Sequence, residues 1–286
     1  MLNIRQKIFI ARILNRSVRL LRRITGRGMR TRCARKGIEW DLDLDEGIDL
    51  CIYLQGAYEP RALRAYSPII QPGNIVFDIG ANIGAHTLHF SRLVGPAGKV
   101  YAFEPTDYAF SKLRANLALN PELAIRVNAQ QRFLVADHTE PLPPTVYSRW
   151  PVANEHHNLN SDHLGKLEPL AGATAITADE FCEAMDLRHV DFVKIDVDGH
   201  ELSVLQGFRR SLERFKPRIL IEIAPFIYKD SSLQEFDHLI HFLTDLGYIF
   251  TDSGNGRQIS CDPAVLRRKI TPKGAINCIL LPNSKT

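Results

Sequence analysis

Acidic residues are absent from the first 37 positions of this 286-residue chain. That stretch holds twelve lysines and arginines, a charge of +12, while the rest of the chain sums to −8 and the whole to +4. An acidic body makes a poor nucleic-acid surface, so no nucleic-acid partner is expected. Cysteine is sparse. Cys33, Cys51, Cys182, Cys261 and Cys278 are odd in number and scattered, with no CxxC pair. This argues against a disulfide framework or a zinc site and favours a reducing compartment. Apolar runs are too short to span a bilayer. Arginines break up the early apolar residues, unlike a signal peptide. The expected location is cytoplasmic, with peripheral attachment to the inner face of the membrane left open.

What is present fits a soluble globular protein: 45% hydrophobic and 24% charged residues. The length suffices for one large α/β domain with extra segments. The expected organisation is a basic arm over residues 1–37, a β-hairpin with its lead-in over 38–71, and a cofactor-binding domain over 72–286. In the arm, Ile4, Ile8, Ala11, Leu14, Val18 and Leu21 recur at helical spacing with arginines between them. Two readings stand: a helix lying on an anionic membrane surface, or an arm that is loose or packs on the acidic body. From Ile38 to Gly56 apolar residues alternate. Trp40, Leu42 and Leu44 share one register, Ile48, Leu50, Ile52 and Leu54 another, and Asp45-Glu46-Gly47 reads as the turn of a hairpin.

Beyond Ile75 strands and helices alternate. Strands are expected at Ile75–Ile79, Lys99–Glu104, Ile125–Ala129, Phe133–Ala136, Asp191–Val197, Arg218–Ile223, Tyr248–Thr251 and Ala275–Leu281. Helices are expected to begin near Asn82, Thr106, Ala178, Glu201 and Ser232. Such alternation implies a mostly parallel sheet with helices on both faces. The stretch His138–Ala173 lacks periodicity and reads as a long loop, of the kind that is functional or disordered.

Residues Ile75–Thr87 read IVFDIGANIGAHT: a buried strand, a glycine turn and a helix start. In an open parallel sheet, ligands bind beyond the carboxyl ends of the strands. The dinucleotide fingerprint G-x-G-x-x-G brings a pyrophosphate to the helix start. This loop offers D-x-G-x-N-x-G instead. Asp78 ahead of the glycines would repel a pyrophosphate and suit a cationic ligand without phosphate, such as S-adenosylmethionine with its ammonium and sulfonium. Asp78, Gly80, Ala81, Asn82 and Gly84 are therefore candidate cofactor contacts. Glu104, 20 residues after Gly84, ends the next strand beside Pro105. A carboxylate there can accept from both ribose hydroxyls, although NAD enzymes use an acid at that place too. Asp137 is read either as a contact to the adenine amino group or as a turn residue.

The block VFDIGANIGAHTLHFSRLVGPAGKVYAFEPTDYAFSKLRANLALNP, followed by VDFVKIDVDGHELSVLQGFRRSLERFKPRILIEI, resembles the FkbM family of S-adenosylmethionine-dependent methyltransferases over roughly Val76 to Leu281. The resemblance implies an α/β fold: a Rossmann-like methyltransferase sheet, mostly parallel and seven-stranded, with helices on both faces and an antiparallel last strand. Here it would be preceded by a β-hairpin and a basic N-terminal helix. It also implies methyl transfer to oxygen, commonly of a sugar or polyketide hydroxyl. Asp198 is one departure, standing where many relatives carry glutamate.

In KIDVDGHE, Lys194, Asp196, Asp198, His200 and Glu201 crowd the carboxyl edge of a strand, and Glu222 ends the next. Methyl transfer needs the acceptor oxygen aligned with the methyl carbon, and an alcohol benefits from a base. Crowded carboxylates in a partly dry cleft have raised pKa values that suit this task. Asp196, Asp198, His200 and Glu222 are the candidate catalytic residues, with Asp196 alternatively holding the cofactor ammonium. The bland readings are a turn at Asp198-Gly199, a helix start at His200-Glu201 and an internal ion pair for Lys194. Three carboxylates and a histidine could also bind Mg²⁺ as hard oxygen ligands do, but no ligand spacing is diagnostic, so no metal is assigned. Thr177–Glu180 reads as a capping box, and Asn116 and Asn120 as helix-closing residues. Tyr147, Trp150, His156, His157 and His163 are candidates for an acceptor pocket. The expected function is O-methylation of a sugar, glycan or glycolipid hydroxyl. The alternatives are an NAD-linked oxidoreductase, which Asp78 and the missing third glycine disfavour, and a non-catalytic binding module.

Overall fold

A computed structural model describes residues 4–139, 141–153, 165–228 and 233–283. The chain opens with helix α1 (Ile4–Ile24), then strands β1 (Arg30–Arg35) and β2 (Ile38–Asp43), and helices α2 (Gly47–Gln55) and α3 (Pro60–Tyr66). The α/β part follows as β3 (Ile75–Ile79), α4 (Thr87–Val94), β4 (Lys99–Phe103), α5 (Asp107–Ala118), α6 (Pro121–Ala124) and β5 (Val127–Gln130). Next come β6 (Arg132–Leu134), β7 (Thr145–Arg149), β8 (Lys166–Pro169), β9 (Thr174–Ile176), α7 (Ala178–Ala184), β10 (Phe192–Ile195), α8 (Glu201–Gln206) and α9 (Arg209–Phe215). The chain continues with β11 (Arg218–Ile223), α10 (Leu233–Asp245), β12 (Tyr248–Asp252), α11 (Pro263–Lys269) and β13 (Ile276–Pro282).

Seven strands form one sheet in the order β12-β13-β11-β10-β3-β4-β5, with β13 antiparallel to both of its neighbours and the other pairs parallel. The central strands carry apolar residues on both faces, as a sheet covered by helices on each side requires. Val76 packs with Tyr66, Phe90 and Phe192 on one face, and Phe77 packs with Phe103, Phe181 and Phe208 on the other. From β3 the chain steps outward through β4 to β5, then returns to add β10 and β11 on the other side. That reversal opens a crevice at the carboxyl ends of β3 and β10, where open sheets of this kind take ligands.

The N-terminal region departs from the expected pattern. The hairpin is β1–β2, turning at Lys36-Gly37, so residues 30–35 are a strand and not part of an arm. The segment after Asp43 is helix α2 and not a second strand. Ile48, Leu50 and Ile52 alternate, but they are buried around a short helix whose Asp49 is also buried, accepting from the Asp43 N–H at 2.7 Å and pairing with Lys112. An apolar run this short satisfies both periods. The free edge of β2 is closed by side chains of α5 and the turn after it. Asn116 accepts from the Asp41 N–H, and Asn120 both accepts from the Glu39 N–H and donates to its carbonyl. These asparagines therefore satisfy strand backbone. Trp40, Leu42 and Leu44 share one core with Ala81, Ile83, Leu88, Leu113 and Leu117, which joins the hairpin to the glycine loop.

Two further corrections concern the body. Phe133 and Leu134 belong to β6, which pairs with β9 outside the main sheet, and the expected loop 138–173 contains the antiparallel pair β7–β8. The helix expected from Asn82 starts only at Thr87, because residues 82–86 form turns. The Thr177–Glu180 capping box is present with both of its hydrogen bonds.

Candidate active site

The crevice is a cavity of about 1240 Å³. Its floor is built where the loops after β3 and β10 touch. Gly80 has φ +75°, and a Cβ there would stand 1.9 Å from the Asp196 carbonyl oxygen. Only glycine permits both the backbone and the approach. Gly80 and Ala81 donate to the Phe103 carbonyl at 3.0 and 2.9 Å. Asn82 takes a left-handed φ of +49°, donates its N–H to Glu104 at 2.9 Å and its amide to the Ser148 carbonyl at 2.9 Å. Glu104 is buried. Its other carboxylate oxygen accepts from the Thr106 N–H at 3.0 Å and hydroxyl at 2.6 Å. Burial raises its pKa, against these hydrogen bonds, which lower it.

Lys194 holds the two loops together. Its ammonium is buried, donates to the Gly80 carbonyl at 2.7 Å, and lies 3.5 Å from Asp78 and 3.4 Å from Asp196. Burial pulls its pKa down, but Asp196, Asp78 and Glu59 outweigh burial and hold it above its ordinary value.

Four carboxylates stand on the cavity wall around this cation. Asp196, Asp198, Glu222 and Glu59 all line it, together with His200, whose ring meets Phe133 edge-on at 5.2 Å. Burial first, and then the Asp196 charge, push Asp198, Glu222 and Glu59 above the usual carboxylate range, Asp198 and Glu222 most strongly. Asp198 has φ +49° followed by Gly199 at +106°, a backbone tied by Gly199 donating to buried Glu201, which also receives the Tyr228 hydroxyl. Strain held in this way is common at functional sites. Among the described residues, no group of three or more His, Cys, Asp or Glu is arranged to hold a metal ion.

The sequence-based candidates separate into two sets. Gly80, Ala81, Asn82, Glu104, Pro105, Asp196, Asp198, His200 and Glu222 line the cavity. Asp78 does not. It is fully buried beneath the loop, accepting from the Thr87 hydroxyl at 2.6 Å and facing Lys194, so its charge is answered before it reaches a ligand. Gly84 is also set back. Its φ is +87°, and a Cβ would press on Leu113 at 2.8 Å, so it serves helix packing. Asp137 is exposed in a turn, accepting from the Thr139 N–H at 2.7 Å. Tyr147 and Trp150 line the cavity, whereas His156, His157 and His163 lie outside the described residues.

Sequence reasoning missed Glu59, Tyr58 and His86, which line the same cavity from the lead-in segment and the glycine turn. Glu59 sits at φ +45°, accepts from Asn277 at 3.1 Å and lies 3.8 Å from His86. His86 is buried, bonded to the Tyr66 hydroxyl at 3.1 Å, and burial pulls its pKa well below the ordinary histidine value. The signal available for Glu59 was weak: an acid just before proline, which reads as a helix entry.

The arrangement favours a cation over a pyrophosphate. Glu59, Glu104, Asp196, Asp198 and Glu222 line the cavity around Lys194, with Lys7, Arg61, Arg64 and Arg132 also lining it, and the helix that follows the glycine loop starts only at Thr87, behind His86. The model of the methyltransferase FkbM domain matches residues 78–250. A hexuronic acid methyltransferase, AglP, of Haloferax volcanii is 28% identical over 54% of this chain and 58% of that protein, so the chain spans little more than half of this relative's length. A 2-O-methyltransferase, NoeI, of Sinorhizobium fredii is 23% identical over 64% of this chain and 75% of that protein. A solved methyltransferase FkbM from Methylobacillus flagellatus is 15% identical, covers 86% of this chain and 63% of that chain, and superposes with a TM-score of 0.43.

Proposed function

The chain belongs to the FkbM methyltransferase family, with a Rossmann-like methyltransferase fold, and on that premise we propose that it transfers a methyl group from S-adenosylmethionine to a hydroxyl of a sugar, glycan or glycolipid. The observation that carries this reading is the carboxylate-rich wall around the buried cation Lys194. It suits a ligand that brings an ammonium and a sulfonium and no phosphate. Glu104 would accept from the ribose hydroxyls, with its free lone pairs beyond those used by Asn82 and Thr106. Gly80, Ala81, Asn82 and Pro105 would shape the backbone cradle. Asp196, held by Lys194, would take the ammonium. When bound, the cofactor supplies an electrophilic methyl carbon. The names of AglP and NoeI, a hexuronic acid methyltransferase and a 2-O-methyltransferase, favour a sugar hydroxyl as acceptor.

The chain's own work is then to orient the acceptor and remove its proton. Glu222 and Asp198 have raised pKa values and face the cavity, which suits a carboxylate poised to accept a proton near neutral pH. His200 closes the same wall, and Tyr147 and Trp150 offer ring surfaces to a sugar. Calorimetry with S-adenosylmethionine and with NAD tests the cofactor. Binding of the former is expected to weaken about tenfold or more in Glu104→Ala, as the loss of a charge-assisted hydrogen bond predicts. NAD binding with no response to S-adenosylmethionine would favour the oxidoreductase alternative and end this reading.

A further inference from the structure

Helix α1 has two different sides. Toward the body it places Ala11, Asn15, Val18 and Arg22. Asn15 is buried and donates to the Leu44 carbonyl at 2.7 Å, and Arg22 donates to the Gly28 carbonyl at 2.6 Å. The helix is thus seated on β2 and α2, not loose. The opposite side is apolar and open to solvent. Phe9, Ile13, Leu20 and Ile24 are 64%, 47%, 62% and 74% exposed, with Ile10, Leu14 and Leu21 beside them. At 3.6 residues per turn these seven side chains share one side of the helix, with exposed Ser17 standing between Ile13 and Leu20. Scattered exposed apolar residues need no explanation, but a stripe of them on one side of a helix does.

Charge says what covers it. Residues 1–37 carry +12 and no acid, and the six acids of residues 38–56 leave the first 56 positions at +6. Arg12, Arg16, Arg19 and Arg23 fall on the flank between the seated side and the apolar stripe. An apolar stripe with a basic flank matches an interfacial helix whose apolar side enters the acyl boundary while its cations meet anionic headgroups. A second copy would instead bring +6 against +6. No helix among the described residues is long and apolar enough to cross a membrane, so this contact is with the surface.

Position adds a consequence. Ile10 and Leu14 are exposed on the apolar side and also line the cavity, as do Lys7 of α1 and Leu54 of α2. The mouth therefore opens beside the apolar stripe. We propose that α1 docks the protein on an anionic bilayer surface through Phe9, Ile13, Leu20 and Ile24, with the cavity mouth against the lipid. The cavity's catalytic meaning rests on the methyltransferase reading, whereas the docking itself does not.

The test uses the full chain and vesicles of phosphatidylcholine alone or mixed in equal parts with phosphatidylglycerol. The protein should pellet with the mixed vesicles at low salt, and not with phosphatidylcholine alone or at high salt, where screening shortens the reach of the arginines. The fourfold variant F9S/I13S/L20S/I24S, which alters only exposed positions, should lose pelleting at least tenfold and keep its S-adenosylmethionine affinity. Orientation is read from two variants that each add one tryptophan to the native Trp40 and Trp150, as the emission of the variant less that of the parent chain. Leu54→Trp, at the mouth, should shift its emission to the blue on mixed vesicles. Ile125→Trp, 77% exposed where its carbonyl meets Lys99 at the amino end of β4, should not. Absence of pelleting at low salt, pelleting retained by the fourfold variant, or an unshifted Leu54→Trp would overturn the proposal. So would a dimer in solution that the fourfold variant makes monomeric while vesicles stay unbound. Vesicle binding by a chain that ignores S-adenosylmethionine would leave the dock standing and remove the methyltransferase reading.

Discussion

Lys194 is the residue whose removal should be felt most widely. Its side chain is 5% exposed, and its ammonium serves Asp78, which is fully buried, and Asp196, whose side chain is 37% exposed. Lys194→Met keeps the length of the side chain and removes the charge. Asp196 can turn to water, but Asp78 cannot, so the loss falls on Asp78. Removing one partner of a buried pair costs about 3–5 kcal/mol. At about 2–4 °C per kcal/mol for a protein somewhat smaller than this one, the melting temperature should drop by roughly 6–20 °C. The deficit should depend on pH in a fixed direction. Burial already raises the Asp78 pKa against the opposing pull of Lys194, and without the lysine it rises further. A carboxyl whose folded pKa is raised destabilises the fold as pH climbs through that value, so the deficit should be large at about pH 8 and smaller at about pH 5. Asp78→Asn in the Lys194→Met background should recover most of the loss, since the pair is then neutral. Thermal melts of the three proteins at both pH values decide it. An unchanged melting temperature for Lys194→Met at about pH 8, or no recovery in the double variant, would refute the pairing argument.

Two other substitutions probe the cavity. Gly80→Ala should weaken S-adenosylmethionine binding and lower stability more than Gly73→Ala. Both have positive φ, but only Gly80 has a carbonyl 1.9 Å from the new Cβ, while Gly73 has nothing within 4 Å; equal effects in calorimetry and melts would remove the close-approach argument. Glu222→Gln should raise the melting temperature at about pH 8 more than at about pH 5, because it removes one of several carboxylates that burial and Asp196 push upward. It should also lower kcat by about 10²–10⁴-fold and abolish the acidic limb of the rate profile if Glu222 is the base.

What the sequence made legible was the α/β body. Ile75–Ile79 and Arg218–Ile223 coincide with β3 and β11, and the helix starts at Ala178 and Glu201 coincide with α7 and α8. The two strands are largely apolar and buried on both sides, and Thr177–Glu180 marks the start of α7 as a capping box, so local pattern and tertiary packing agree. The N-terminal segment was read less well for a physical reason. In β1 the residues Arg30, Arg32 and Arg35 lie on an exposed two-stranded edge and pair in part with Asp41 and Asp43, so the strand carries little apolar signal. In α2, Ile48, Leu50 and Ile52 fit either period, and only the buried Asp49 with Lys112, 63 residues away, makes the helical register clear.

The site divides along the same line. Glu104 and the Asp196–His200 loop were legible because they sit next to strands that the pattern identifies, and a parallel sheet brings its carboxyl ends to one edge. Asp78 was legible as important but not in its role. Its position ahead of the glycines suggested a ligand contact, whereas the register Lys194↔Asp78 between β10 and β3 puts a lysine beside it inside the core. The acidic character that argues against a pyrophosphate thus survives the loss of Asp78, because Asp196, Asp198, Glu222 and Glu59 supply it instead. Glu59 and His86 reach the cavity through α3 and the turn before α4, and no local pattern in the sequence ties residue 59 to residue 277 across the sheet. Those contacts exist only once β13 is inserted antiparallel between β11 and β12, which brings Asn277 opposite Glu222 in register and so joins the lead-in segment to the wall of the site.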